Sequence, residues 1–298
     1  MILITGATGF IGQSIMRRLP GEVIGIVRTA KDNSSSITAC DLGDTDSVTN
    51  LIETLRGKNI EAIVHTAGVT PWSPSMHWEN DVEMASQVAR VADSLGIPRI
   101  VYLSGWVVYD GGLIGAPFYE GDESTTPPAS DYGRSKLAVE RLLVEKYGSN
   151  TVVSLRLASI YGPGQVSAGL IPNLVQEAMT GGAIALQAKQ TKRDYLYIED
   201  AVEAVARAIK LPELTSQSIN IGSGVSIRVD DVAKTIQRVF SIEYKKEVSV
   251  TYAESMNESS CTDNTMCIER AAELGLLNEN GTDFYTGVSK YITWKMST

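Results

Sequence analysis

The first twelve residues constrain this chain more than any others. Met1–Thr5 reads Met-Ile-Leu-Ile-Thr, a short apolar run with the β-branched content of a buried strand, and Gly6-Ala-Thr-Gly9-Phe-Ile-Gly12 follows it directly into a helical run. Three glycines at a strand-to-helix turn have separable tasks. Gly6 permits the tight turn, Gly9 lets backbone approach a pyrophosphate with no Cβ in the way, and Gly12 lets the helix pack closely on the strand. The helix N-terminus then offers free N–H groups and a partial positive charge to that anion. The spacing is G-x-x-G-x-x-G, and a glycine triplet alone is a weak signal. The strand before it, the helix after it and its N-terminal place favour a dinucleotide cradle over a turn that merely needs glycine. Gly6, Thr8, Gly9, Phe10, Ile11 and Gly12 are its expected contacts.

The next strand, Glu22–Val27, ends at Arg28. In dinucleotide folds an acid at this place bonds the 2′-hydroxyl of NAD, whereas an arginine accepts the 2′-phosphate of NADP. Arg28 occupies it and Asp32 comes later, in the loop, so NADP is the expected cofactor and NAD the alternative. Ile37–Cys40 reads as a third strand, and Asp44 caps a helix over Thr45–Arg56. Ala62–Thr66 is a fourth strand running into Ala67-Gly68, small residues that let backbone pass close to a cofactor. His65, inside that apolar run, reads as packed rather than catalytic. Trp72–Trp78 is a Pro/Ser/Trp-rich connection assigned to the active-site rim. A helix over Met84–Leu95 and a strand over Arg99–Leu103 lead to Ser104-Gly105-Trp106. The long Gly111–Pro128 loop has the length of a functional one. Ser130 and Asp131 open a helix over Tyr132–Lys146, and Val152–Leu157 is a sixth strand.

Strand–helix alternation throughout this half predicts the fold class: α/β, a Rossmann-type doubly wound parallel sheet with ligands at the carboxyl ends of its strands. After Tyr161-Gly162-Pro163-Gly164 the rhythm changes. Helices are expected over Leu170–Thr180, Glu199–Ile209 and Val229–Phe240, with short strands at Ile184–Leu186, Arg193–Ile198, Ser218–Ile221 and Ile227; the last fifth reads as less regular. The expected division is an NAD(P)-binding domain over residues 1–160 and a smaller C-terminal α/β substrate lobe over 161–298, interleaved with the last sheet elements.

Composition narrows the partners. In 298 residues the net charge is −9 and no basic run exists, which argues against nucleic acid or an anionic membrane surface. No apolar run reaches the length of a membrane span. Met1 leads straight into the first strand, leaving no room for a signal peptide, and Cys40, Cys261 and Cys267 form no metal pattern; a reducing, cytoplasmic location is expected. With only His65 and His77, no histidine-rich metal site is expected.

Tyr132-Gly-Arg-Ser-Lys136 is the second informative stretch. Tyrosine and lysine four apart share one helix face. A phenol titrating near pH 10 is a poor base at neutrality, and a neighbouring ammonium favours its phenolate. Such a pair can exchange a proton with a substrate hydroxyl or carbonyl while a nicotinamide exchanges hydride. The pair gains weight by following a glycine-turn domain, after the fifth strand.

Gly6-x-x-Gly9-x-x-Gly12, His65-x-Ala67-Gly68, Tyr132-x-x-x-Lys136, Arg156-x-x-x-x-Tyr161-Gly-Pro163 and Arg193-Asp194-Tyr195 fall in the order seen in the extended short-chain dehydrogenase/reductases. The chain resembles their NAD(P)-dependent sugar epimerase/dehydratase branch from residue 1 to about 240. The resemblance implies that Tyr132 is the acid/base and that Lys136 lowers its pKa and bonds the nicotinamide ribose. It further implies that Asp41 and Leu42 lie beside the adenine and that Arg193 faces a substrate phosphate. Trp106 and Thr70 join Arg193 as expected substrate contacts, on a sugar-like, nucleotide-linked small molecule, and a homodimer through the helices at 84–95 and 132–146 is expected.

Two departures stand out. The family places a catalytic Ser or Thr four residues before the Val-Tyr-Gly tyrosine; here that place is Gly105, with Ser104 one short, so Ser104 is the candidate hydroxyl through a shifted loop. Trp106 and Val107 stand where dehydratases carry Asp-Glu, which disfavours water elimination. Near the C-terminus, Ser255–Ser260 replaces the family's phosphate-gripping arginine stretch, and the nearby arginine is Arg270. Three readings follow: an oxidoreductase acting on a keto group or hydroxyl, an epimerase that cycles a retained cofactor, and a dinucleotide-binding sensor without turnover. The Tyr132–Lys136 pair, for which a sensor has no need, favours the first two, and Arg28 the first.

Overall fold

Ile2–Thr5 (β1) lies inside a parallel sheet, with the second strand on one side and the fourth on the other. The computed structural model describes residues 1–19, 21, 23–29, 36–70, 77–112, 116–147, 152–166, 169–186, 191–212, 218–252, 262–278 and 280–298. The first half alternates: α1 Phe10–Arg18, β2 Val23–Val27, β3 Ile37–Ala39, α2 Thr45–Leu55, β4 Ala62–His65, α3 Glu79–Leu95, β5 Ile100–Gly105, α4 Asp131–Tyr147 and β6 Val152–Leu157. The second half mixes shorter elements: β7 Ser159–Tyr161, α5 Leu170–Gly181, β8 Ala183–Leu186, β9 Lys192–Tyr197, α6 Ile198–Ile209, β10 Ser218–Ile221, β11 Ser226–Arg228, α7 Val229–Tyr244, β12 Ser249–Tyr252, α8 Glu269–Glu273 and α9 Phe284–Met296.

Seven strands pair in the order β10-β6-β5-β4-β1-β2-β3, all parallel. Strands buried on both faces must be apolar nearly throughout, and β4 (Ala-Ile-Val-His) and β6 (Val-Val-Ser-Leu-Arg-Leu) are buried at every residue. One apolar layer joins Leu3, Ile24 and Ile63 to Leu51 of α2, Val88 of α3 and Val139 of α4. The other joins Ile4, Val101 and Leu155 to Ile15 of α1 and Val205 of α6 and continues to Ile236 of α7. Helices thus cover both faces, and the strand order reverses between β1 and β4, which opens a crevice at their carboxyl ends. Arg156 of β6 crosses to the long loop: it is 1% exposed and held by Glu140 at 2.6 Å and Glu123 at 2.8 Å.

The expected elements of the first half lie within two residues of their observed ends, with one exception. α3 begins at Glu79, five residues before the expected Met84, because its first turn carries Glu79 and Asp81, acids that suit a helix N-terminus but break the apolar spacing. Asp44 does cap α2, accepting from Asp46 N at 3.0 Å. β12 and α9 fall in the last fifth, expected to be less regular, and β7 at Ser159–Tyr161 is an additional strand; α9 buries Val288, Tyr291 and Ile292 among polar residues. β10 returns to the main sheet beside β6, and α6 packs on α1. β7, β9 and β11 form a second sheet, β8 and β12 a third. Leu137 and Leu143 of α4 are buried within the single chain and Leu142 is part-buried. Asp32, residues 72–76, Ser255–Ser260 and Cys261 lie outside the described residues. Among the described residues, no helix is long and apolar enough to cross a membrane, and no cluster of His, Cys, Asp or Glu could hold a metal ion.

Candidate active site

The glycine turn carries out its work in detail. Gly6 has φ +67°, and a Cβ there would stand 2.7 Å from Thr66 Oγ1 and 2.8 Å from Ala67 N, so the turn presses against the end of β4. Gly9 N donates to Gly6 O at 2.9 Å. Gly9 then caps α1 without a side chain, and no acid stands in the first turn, leaving the helix N-terminus its positive character. A Cβ on Gly12 would strike the Gly6 carbonyl, so Gly12 is bare for the turn itself rather than for β1. Close helix–strand approach occurs instead at Gly25 of β2, where a Cβ would meet Cε and Sδ of Met16 in α1, each at 3.2 Å, besides Ala7 Cβ of the turn at 2.6 Å. An uncapped N-terminus over a turn that side chains would fill fits the pyrophosphate of a dinucleotide.

Neighbouring strand ends complete this edge. Arg28, directly after β2, is exposed. Asp41 Oδ1 accepts from Gly43 N at 2.9 Å, and Leu42 beside it is buried. Thr5 Oγ1 accepts from Thr66 N and Ala67 N, each at 3.2 Å, which leaves its own proton for His65 Nδ1 at 2.8 Å. That assignment puts the neutral ring's proton on Nε2. Burial, with the charge of Lys136 second, pulls the His65 pKa down to about 3. His65 also stacks on Tyr102 with ring centroids 5.5 Å apart, so it is a packed, neutral group.

Ser130 Oγ accepts from Gly133 N at 2.9 Å and starts α4. A Cβ on Gly133 would strike the carbonyl of Val107, so the first turn of α4 rests on the 106–109 turn that leaves β5. Lys136 Nζ lies 5.6 Å from the Tyr132 ring centroid and 5.1 Å from that of Tyr102, and donates to Leu103 O at 3.3 Å. Burial works against its charge, but Tyr102, Tyr132 and Asp81 outweigh burial and raise its pKa. Lys136 is therefore an ammonium at neutral pH. Tyr132 is half-buried above it.

Ser104 is placed differently. It shares the Tyr102 face of β5, beneath α4, is 5% exposed, and its Oγ makes no hydrogen bond. β5 keeps its register with β6 through Gly105 opposite Leu157, so Ser104 is a regular residue of the strand. A Cβ on Gly105 would meet nothing closer than 3.7 Å: the position has room for a side chain it lacks.

Arg193 and Trp106 meet: the guanidinium carbon lies 5.8 Å from the ring centroid, and Nη1 donates to Thr262 Oγ1 at 2.9 Å. Thr70 is exposed at the end of the segment after β4. Alternation along β9 and its pairing with β7 and β11 put Arg193, Tyr195, Tyr197, Tyr161 and Ile227 on one face. Together with Phe284 these aromatic residues line a cavity of about 390 Å³. Tyr195 Oη is buried there without a hydrogen-bond partner. The cavity was missed in the sequence, although the period-two Arg-x-Tyr-x-Tyr run was its signal.

A dinucleotide cradle at the reversal point of a parallel sheet, with a tyrosine–ammonium pair at the end of the neighbouring strand, defines an NAD(P)-dependent enzyme of the extended short-chain dehydrogenase/reductase type. The chain belongs to the NAD dependent epimerase/dehydratase family, whose sequence profile matches residues 2–222. It is 28% identical over 251 residues to UDP-glucose 4-epimerase of Vibrio cholerae, spanning 79% of this chain and 74% of that one. It is also 28% identical over 260 residues to dTDP-4-dehydro-6-deoxyglucose reductase of Escherichia coli, spanning 79% and 80%. The solved structure of MoeE5 in complex with UDP-glucose and NAD matches with a TM-score of 0.81 and 24% identity, over 99% of this chain and 98% of that one, a likeness of fold.

Proposed function

We propose that this enzyme reduces a keto group, or oxidises a hydroxyl, on a sugar-like substrate carried by a nucleotide, with Tyr132 as acid/base. The observation that carries the reading is the buried Lys136 ammonium 5.6 Å from the Tyr132 ring, beside a strand edge shaped for a dinucleotide. When bound, the dinucleotide supplies hydride donation and acceptance. Tyr132 gives its phenolic proton to the substrate oxygen in reduction and takes it back in oxidation, with the Lys136 ammonium beside it. Arg193, steadied by Trp106 and Thr262, is assigned to a substrate phosphate. The cavity along β9 is assigned to the non-reacting part of the substrate, so Tyr195→Ala should raise KM and spare kcat. Tyr132 with Lys136, Arg28 with Asp41 and Leu42, and the glycine turn with Ala67 and Gly68 make up the proposed cofactor contacts. The lobe after residue 160 supplies the substrate contacts, and a homodimer, which light scattering at micromolar protein would show as twice the chain mass, belongs to the same reading.

Tyr132→Phe keeps ring, packing and helix while removing the titrating oxygen. Turnover should fall by about 10²–10⁴-fold with dinucleotide binding intact. Lys136→Met should damage both. Near-normal turnover in Tyr132→Phe would refute the mechanism. A second reading, an epimerase that retains its cofactor, is favoured by the Vibrio cholerae relative. Nicotinamide absorbance separates the two: a net change with a keto-sugar marks the oxidoreductase, and sugar interconversion with absorbance returning to its start marks the epimerase.

A further inference from the structure

Asp81 stands in the first turn of α3 and is 3% exposed. Its Oδ1 accepts from Val69 N at 2.6 Å and its Oδ2 from Ser135 Oγ at 2.9 Å. Val69 follows Gly68, and Ser135 precedes Lys136. The point a Cβ on Gly68 would occupy lies 3.4 Å from Lys136 Nζ and 3.5 and 3.6 Å from the two Asp81 carboxylate oxygens. Carboxylate and ammonium therefore lie together behind the strand-end segment expected to pass the cofactor.

We propose that Asp81 is a positioning residue of the Tyr132–Lys136 pair: it ties the Gly68–Val69 segment to α4 through Ser135 and supplies the negative charge against which the ammonium is set. The proposal rests on the reading of that pair given above. Lys136 is faced by Tyr102 from β5, His65 from β4, Tyr132 from α4 and Asp81 from α3, and Glu140 of α4 acts on Tyr102. His65 is neutral, burial with opposing carboxylates keeps Tyr102 a phenol, and Glu140 is engaged with Arg156 at 2.6 Å. Asp81 is thus the counter-charge beside Lys136, and its negative potential at Tyr132 opposes that of the ammonium. With a neutral side chain at 81 that opposing potential is gone, and in the variant the Tyr132 phenolate forms at lower pH than in wild type.

The titration that tests it needs neither substrate nor cofactor. Ultraviolet difference titration of the whole protein against Tyr132→Phe follows ionisation of this one tyrosine; the same difference is taken in an Asp81→Asn background. The midpoint should fall by about half a unit or more in Asp81→Asn. Asparagine keeps an acceptor for Val69 N, so the thermal midpoint should stay within a few degrees of wild type. Ser135→Ala keeps the charge and should leave the tyrosine midpoint in place. An unmoved or raised midpoint in Asp81→Asn overturns the proposal. So does an Asp81→Asn protein that fails to fold, since the carboxylate would then serve stability. If Tyr132→Phe abolishes turnover while the Asp81→Asn midpoint stays put, this proposal alone fails. If the midpoint falls while Tyr132→Phe retains turnover, the coupling holds and the functional reading alone fails.

Discussion

The carbonyl of Val107 fills the space that a side chain on Gly133 would need, and Pro128 Cβ stands 2.8 Å from the same point. Gly133 lies between Tyr132 and Lys136, so this contact sets how closely α4 approaches the turn that carries Trp106. In an unhindered helix, glycine to alanine stabilises by up to about 1 kcal/mol. Here overpacking should win, and Gly133→Ala should cost about 1–3 kcal/mol in urea denaturation. Turnover should drop more than dinucleotide affinity, because the glycine turn is untouched. The sign of the stability change decides the matter.

His65 gives an acid-side prediction. Its folded pKa, about 3, lies below the ordinary 6.5 because burial, and then Lys136, disfavour the cation. Between those values the unfolded chain takes up a proton that the folded chain refuses. Stability is therefore full above the upper value and is lost as pH falls through the window, at up to about 1.4 kcal/mol per pH unit. His65→Gln should be less stable at pH 7.5 but show a flatter acid limb in denaturant titrations. Parallel limbs in both proteins would count against the assignment.

Ser104→Ala tests the hydroxyl beneath α4. An unbonded buried hydroxyl contributes little, so stability should change by less than about 1 kcal/mol. Turnover should change less than threefold if the crevice works without Ser104. A loss comparable to that of Tyr132→Phe would instead make Ser104 the replacement for the hydroxyl missing at Gly105. Gly105→Ser, whose Cβ has 3.7 Å of clearance, should fold normally and supplies the matching gain-of-hydroxyl experiment.

Cofactor preference is expected to depend on Arg28, exposed at the end of β2. Calorimetric titration should give tighter binding of NADP(H) than of NAD(H), and Arg28→Ala should reduce that preference by about tenfold or more through the lost phosphate contact. NAD(H) binding that is equal or tighter, and unchanged in Arg28→Ala, would sink the claim.

What could be read in the sequence is what is local along the chain. Gly6, Gly9 and Gly12 announce a turn because their spacing and their effect belong to one strand–helix junction, and Tyr132 and Lys136 share a face because a helix repeats every 3.6 residues. The alternation of the first half followed from runs long enough to show a period. Asp81 and Gly133 carry no such signal. An acid in a first turn reads as a solvated cap until α4 covers it, and a glycine in a helix reads as tolerated until Val107 is found against it. Gly12 shows the same limit, since its partner is the Gly6 carbonyl and not the strand. The β9 cavity needs Phe284 from α9 and Tyr161 from β7, brought together over long separations that no window of sequence spans.

β10, at Ser218–Ile221, is the last strand laid onto the edge of β6 at Ser154–Leu157. During synthesis the backbone groups along that edge wait for some sixty further residues, several seconds at ordinary elongation rates, before their partner leaves the ribosome. Through that interval the nascent sheet presents an open ladder to any other extended chain. That interval is the period in which this edge of the sheet is open to pairing with the wrong strand.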